Sequence, residues 1–127
     1  MKRHIAIWQH NTQAKNNLFS EKDLIPVCMN KVRITAIRQT VYPDLMARYE
    51  NPIEHACDIK EGQQWISVDG KCPDGMCPSA WYSMREFVES LAKGEGNFYD
   101  GWMKNAMSAM ISCNDGFRPF SFYIEVI

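Results

Sequence analysis

Hydrophobic and polar residues alternate along KVRITAI, residues 31–37, and this period of two predicts a β-strand. Val32, Ile34 and Ala36 fall on one side of that strand, so we expect them to face the core. QQWISV, residues 63–68, is a second segment with branched and aromatic residues, and it predicts another strand. The Asp-Gly pair that follows it is typical of a turn.

The carboxy-terminal segment, residues 106–127, predicts a β-hairpin. AMSAMISC leads into NDGFRP and then into FSFYIEVI, where aromatic and branched residues alternate with polar ones. Asn, Asp and Gly tolerate positive φ angles, so NDG is suited to the turn between two strands. The alternation in FSFYIEVI predicts a strand with one face in the core and one face in solvent.

Apolar residues spaced by three and four predict a long helix over residues 79–93. These residues are Trp81, Met84, Val88 and Leu91, with Phe87 beside them. Gly94 ends the helix in this interpretation, because glycine adopts the left-handed conformation that follows many helices. A shorter helix is predicted to begin at Pro43 and Asp44 and to carry Leu45, Met46 and Tyr49, and the breaking pair Asn51-Pro52 ends it.

The predicted order of elements is strand, helix, strand, helix, strand, strand. We therefore expect the α+β class, with a small, mostly antiparallel sheet, two helices on one face and a C-terminal β-hairpin. A chain of 127 residues favours one domain, and we assign residues 30–127 to it. Residues 1–29 are interpreted as an N-terminal extension, an edge strand plus a polar loop, because Met29 begins a segment that resembles a second amino terminus.

The composition is that of an ordinary globular protein, with 46% hydrophobic and 23% charged residues. The formal net charge of -1 implies no broad basic face, so nucleic acid is not an expected partner. The apolar run at residues 5–8 is too short for a secretory signal, and no segment approaches the length of a membrane span. We therefore expect a cytoplasmic protein.

The five cysteines, an odd number, fit poorly with a complete disulfide framework and are expected to be free thiols. Cys77 precedes Pro78, and proline is favoured at the first position of a helix, so Cys77 is expected at a helix N-terminus. The exposed amides and the helix dipole favour an anion there, which makes Cys77 the candidate reactive thiolate. The alternative is a small buried residue under Trp81. Cys72, in the preceding turn, is expected to keep an ordinary pKa of ~8.5.

Cys57 and Cys113 complete the candidate thiol or metal residues. Cys57 follows His55 by two positions in HACDIKEG, and Cys113 ends the first hairpin strand on its more apolar side. Four cysteines can build a tetrahedral zinc or an iron–sulfur site, so zinc or an iron–sulfur cluster is an alternative cofactor. The spacing of Cys72 and Cys77 is looser than in most zinc knuckles, and no second close pair accompanies it.

Two further groups carry candidate functions. Asp115 and Arg118 lie at the predicted NDG turn, where an arginine can bind a carboxylate or phosphate of a ligand. The commoner alternative is a local pair between these two side chains. Phe98, Tyr99 and Trp102 lie on the glycine-interrupted loop GEGNFYDGWM, and they are the candidates for lining a pocket or meeting a partner. The commoner alternative, which we favour, is a loop that its aromatic rings attach to the core.

The motifs Cys-x-x-Lys-Glu-Gly, Pro-x-Gly-x-Cys-Pro-x-Ala-Trp and Asp-Gly-x-Arg-Pro occur in this order, as CDIKEG, PDGMCPSAW and DGFRP. Through them the chain, from about residue 30 to its end, resembles a family of small bacterial and archaeal proteins of unknown function. The resemblance implies a shared site around Cys57, Cys77 and Cys113 in an intracellular protein, and it implies no activity. Cys72 has no counterpart in the family pattern, and Ser112 stands where members often carry cysteine, which argues against a four-cysteine metal site.

Two functions from different classes follow, and the residues leave open whether the protein is an enzyme. In the first, a thiol-centred site, redox or metal-binding, lies near the start of helix 79–93, with Asp115 and Arg118 fixing a polar ligand. In the second, a non-catalytic accessory or oligomerisation module binds a larger enzyme, or a second copy of itself. Its binding surface would be the aromatic, methionine-rich loop.

Overall fold

The structure is a computed structural model, and it describes residues 29–54 and 57–127. The predicted extension, residues 1–29, lies outside the described part of the chain except for Met29. The described part contains six elements in the predicted order. They are β1 (Val32–Gln39), α1 (Pro43–Tyr49), β2 (Gln64–Ser67), α2 (Pro78–Ala92), β3 (Ser108–Ser112) and β4 (Phe120–Val126). The α+β class and the carboxy-terminal hairpin are therefore confirmed.

The four strands form one antiparallel sheet in the order β2-β1-β4-β3. One row of side chains crosses the whole sheet: Trp65, Ile34, Ile124 and Ala109 lie opposite one another on successive strands. All four side chains are buried, because residues directly opposite one another in an antiparallel sheet lie on the same face. The carboxy-terminal strand β4 thus lies inside the sheet and pairs with the first described strand.

The core forms between this face of the sheet and α2. Met84, Val88 and Leu91 are completely buried along α2, as their spacing predicts, and Phe122 is completely buried on β4. Trp81 is only partly buried. The seven residues of α1 include none that is buried, so α2 is the helix that covers the sheet.

The ends of α2 follow from local sequence rules. Pro78 occupies the first position, and Gly94, with a φ of 84°, follows the carboxyl end. The amides of Gly94 and Glu95 donate to the carbonyls of Leu91 and Ser90 at 3.0 and 2.9 Å. This pair of bonds is the Schellman motif, and it confirms glycine as the residue that ends the helix. No helix within residues 29–54 and 57–127 has the length and apolar character needed to cross a bilayer.

Candidate functional site

A pocket of about 390 Å³ opens at the amino end of α2, beside the edge strand β2. Two segments converge on it: residues 57–63, which precede β2, and residues 75–78, which lead into α2. Its lining consists of Cys57, Asp58, Ile59, Gln63, Trp65, Gly75, Met76, Cys77 and Pro78. This volume, with mixed apolar and polar walls, is in the range of small-molecule sites.

A tight turn places Cys77 at the start of α2, where it lines the pocket. The amide of Met76 donates to the carbonyl of Pro73 at 3.3 Å, and Gly75 adopts a φ of 79° at the third position of the turn. Cys77 is the N-cap of α2, and its carbonyl accepts the amide of Trp81 at 3.0 Å. The segment CPDGMCPSAW, residues 72–81, is therefore a turn followed by a helix start, as predicted.

Cys57 reaches the same pocket through the pairing of β2 with β1. The carbonyl of Gln63 accepts the amide of Ala36 at 2.8 Å, and the amide of Gly62 donates to the carbonyl of Ala36 at 2.7 Å. These bonds fix the segment that follows Cys57 against the sheet. Trp65 belongs to the core, with its ring 6.2 Å from that of Phe122, and it also lines the pocket, so part of the pocket wall is apolar.

The electrostatics of the pocket distinguish Cys77 from Cys72. Cys77 lies at the positive end of the α2 dipole, and the first turn of the helix carries no acidic side chain, while the carboxylate of Asp58 lines the same pocket. The Cys77 thiol makes no capping hydrogen bond to the helix amides. For Cys72, partial burial and then the carboxylate of Asp74 raise the pKa of the thiol, which corrects the expectation of an ordinary value.

Cys113 has a separate role in the hairpin. Its Sγ accepts the amide of Phe120 at 3.2 Å, and its own amide donates to the carbonyl of Phe120 at 3.0 Å. It packs against the core and is not among the residues that line the pocket. The structure thus brings Cys57 and Cys77 to one pocket and Cys113 to a backbone contact. Among residues 29–54 and 57–127, no three His, Cys, Asp or Glu side chains are placed to hold one metal ion.

Asp115 and Arg118 form a local ion pair that extends to a third residue. Asp115 Oδ1 accepts the amides of Phe117 and Arg118 at 2.8 and 3.2 Å, and its Oδ2 accepts the Arg118 guanidinium at 3.0 Å. The other guanidinium nitrogen donates to Glu50, just beyond the end of α1. Arg118 is 11% exposed and engages two carboxylates, so the local pair is the arrangement observed.

This network has a direct consequence for stability in acid. Desolvation of Asp115 acts to raise its pKa, but the amides of Phe117 and Arg118 and the Arg118 charge outweigh it, and the pKa is lowered. The Glu50 hydrogen bond, followed by the Asp115 charge, raises the pKa of Arg118. A carboxyl group with a lowered folded-state pKa contributes stability above its unfolded pKa of ~3.9, and this contribution is lost as the pH falls through the folded value.

We therefore expect the urea midpoint of the protein to fall steeply below a pH of about 4. Asp115→Asn should be less stable than the parent at neutral pH and should converge with it in acid, because both then lack the carboxylate. Urea unfolding of both proteins, at pH 7 and in steps down to about pH 2.5, measures this difference in stability. These steps cover the range in which carboxyl groups titrate. Asp100→Asn, at an exposed position where asparagine tolerates the φ of 56°, is the control and is unfolded at the same pH values.

The aromatic loop divides between core and surface. Phe98 is 2% exposed, and its ring lies 4.9 Å from the ring of Phe87 on α2, so Phe98 belongs to the core. Tyr99 is partly buried and lies 5.3 Å from Trp102, which is 42% exposed. A partner surface on this loop would therefore consist of Tyr99 and Trp102, without Phe98.

Sequence reasoning missed Glu50 as a partner of Arg118 and missed the apolar walls of the pocket, Ile59, Trp65 and Met76. The signal for Trp65 was available, since Trp65 and Ser67 are two positions apart and therefore share the buried side of β2. No local signal links Glu50 to Arg118, because the residues are 68 positions apart and meet only in the folded chain.

Comparison of the chain with protein-family models, with curated proteins and with solved structures finds no match. The resemblance given by the three motifs accordingly rests on those motifs alone, and the function is argued from the site.

Proposed function

We propose that the pocket at the amino end of α2 is a thiol-centred redox site in which Cys77 is the attacking thiol and Cys57 the second thiol. The observation that carries this proposal is that both cysteines line one pocket of ligand size, with Cys77 at the positive end of a fifteen-residue helix. A positive local field favours the thiolate, which is the nucleophilic form of cysteine.

The chemistry is exchange with the disulfide of a small substrate. The Cys77 thiolate attacks one sulfur of the substrate disulfide, the substrate S–S bond breaks, and one half leaves as a thiolate that takes up a proton. The other half stays on Cys77 as a mixed disulfide. Cys57 then loses its proton and displaces the second half, so two electrons pass to the substrate and a Cys57–Cys77 disulfide forms. A dithiol reductant restores the pair.

Limited alkylation tests the assignment of the thiols. With iodoacetamide just below neutral pH, Cys77 should be labelled several-fold faster than Cys72, although Cys72 is the more exposed. The physical reason is that Cys77 lies at the amino end of α2, where unpaired amides and the helix dipole favour an anion, whereas partial burial and then Asp74 raise the pKa of Cys72. Peptide mapping by mass spectrometry at successive times measures both rates.

Two matched variants complete the alkylation experiment. Cys77→Ser should remove the fast phase, and Cys72→Ser should leave it intact. Labelling of Cys72 before Cys77, or labelling of Cys77 only after unfolding, would show that Cys77 has a packing role and is not a reactive thiol. Joint protection of Cys57, Cys77 and Cys113 that a chelator removes would assign a bound metal instead of a redox pair.

The second candidate is a non-catalytic module that binds a larger partner through the aromatic loop. The exposure of Trp102, with Tyr99 at 5.3 Å, favours this surface, because exposed tryptophan and tyrosine are enriched at interfaces. Trp102→Ala is the variant that tests it, since Trp102 is 42% exposed. Loss of partner or self-association in this variant, with unfolding free energy nearly unchanged, is the expected result for this candidate.

A further inference from the structure

Helix α1 presents an apolar stripe to solvent. Leu45 and Tyr49 lie four residues apart on one side of α1 and are 37% and 66% exposed. Val41, which precedes the N-cap residue Tyr42, is 48% exposed as well. None of the seven α1 residues, all of them in the described part of the chain, is buried.

A helix this short does not persist on propensity, because nucleation costs more than two turns of hydrogen bonds return. The chain holds α1 at its two ends instead. Before the helix, the amides of Thr40 and Tyr42 donate to the carbonyls of Pro119 and Phe117 at 3.0 and 2.9 Å. After it, Glu50 accepts the guanidinium of Arg118. These attachments involve backbone groups and the side chain of Glu50. They therefore leave the apolar stripe of α1 uncovered.

The charges along α1 favour the pairing of two copies of this helix. Asp44 is in the first turn, Arg48 is in the last turn, and both are exposed. Asp44 and Arg48 are four residues apart. Each directly precedes a residue of the apolar stripe in the sequence. When two copies of such a helix are placed antiparallel, the first turn of each meets the last turn of the other. Asp44 of each copy then faces Arg48 of its partner, and the opposed dipoles attract.

We propose that α1 is a homodimerisation surface, on which a second copy of the chain binds with its own α1 antiparallel across a twofold axis. The two helices bury Leu45 and Tyr49 against each other, and two symmetric Asp44–Arg48 pairs border them. The contact is small for a protein interface, so association is reversible and concentration-dependent. This inference is independent of the thiol site.

Sedimentation velocity over loading concentrations from about 1 µM to about 1 mM tests the dimer, because it covers the range of weak interfaces. The parent chain should shift from monomer to dimer within this range. Asp44→Arg and Arg48→Asp should each weaken self-association about tenfold or more, because each places like charges opposite one another. An equimolar mixture of the two variants should restore dimers. The first substitution leaves two basic positions on α1 and the second leaves two acidic ones, so the two helices complement each other at both pairs.

Controls keep the outcome decisive. Because no α1 side chain is buried, both variants should keep the far-ultraviolet circular dichroism and urea midpoint of the parent within error. Trp102→Ala, which removes an exposed aromatic ring elsewhere, should leave dimerisation unchanged. A parent that stays monomeric throughout overturns the proposal. So do charge variants that dimerise like the parent, a mixture that stays monomeric, or dimers that Trp102→Ala abolishes.

Discussion

Replacing Phe98 with alanine should lower the free energy of unfolding by about 3–5 kcal/mol, the usual cost of removing a buried phenylalanine. Phe98 is 2% exposed and meets Phe87 edge to face at 4.9 Å, so the substitution leaves a cavity between the loop and α2. Domains are stable by about 5–15 kcal/mol, so the variant should fold only marginally. Urea unfolding followed by circular dichroism measures the change.

Phe98 also holds a strained backbone. Its neighbours Asn97, Tyr99 and Asp100 adopt φ angles of 54°, 53° and 56°, in the left-handed region that costs non-glycine residues free energy. Such residues persist when packing around them fixes the conformation. We therefore expect amide hydrogen exchange at residues 97–102 to accelerate in Phe98→Ala more than exchange in the sheet does.

Trp102→Ala is the matched control, because the ring belongs to the same loop and is 42% exposed. It should cost less than about 1.5 kcal/mol, the scale of an aromatic pair contact, which here is with Tyr99. Equal losses in the two variants would contradict the division of the loop into a core residue and a surface residue.

The elements of this fold could be predicted because their signals are local. Alternation in FSFYIEVI places Phe122 and Ile124 in the core, and the three-and-four spacing on α2 places Met84 and Leu91 there. Each pattern reports which side of an element is apolar, and burial of that side is what holds the element in place.

The arrangement of the elements could not be predicted in the same way. Strand β4 lies between β1 and β3, so Ile34 faces Ile124 across 90 positions of sequence. Alternation is the same for every antiparallel partner, and it does not specify which strand pairs with which. The bond between Arg118 and Glu50 was missed for the same reason: the turn at 114–118 identified only the local partner, Asp115.

The candidate site divides along this line as well. Cys77 was placed at a helix start by the proline that follows it, which is a local rule. Cys57 reaches the pocket through the pairing of β2 with β1, whereas Cys113, which does not line that pocket, accepts the amide of Phe120 in the hairpin. The set of cysteines in the sequence therefore predicted candidate residues, and the fold determined which two of them line one pocket.

Gly96 lies at the tightest backbone approach of the aromatic loop. A Cβ atom there would lie 2.5 Å from the carbonyl oxygen of Ala106 and 2.6 Å from Sδ of Met107. The methionine side chain can move, but the carbonyl cannot move freely, because it accepts the amide of Asn97 at 2.7 Å. This contact brings the beginning of the loop against the segment that enters β3.

Gly96→Ala should therefore lower the free energy of unfolding by about 2–4 kcal/mol, the sum of overpacking and a strained or lost hydrogen bond. Gly116→Ala is the matched control: its Cβ would have no neighbour within 4 Å, and its φ lies outside the left-handed region. There alanine should be neutral or should stabilise the protein by up to about 1 kcal/mol, because it restricts the unfolded chain. Urea unfolding of both variants measures the two effects, and they should have opposite signs or clearly different sizes. A Gly96→Ala protein as stable as Gly116→Ala would mean that Ala106 and the loop can separate without loss, and that the close approach at Gly96 does not hold the loop against β3.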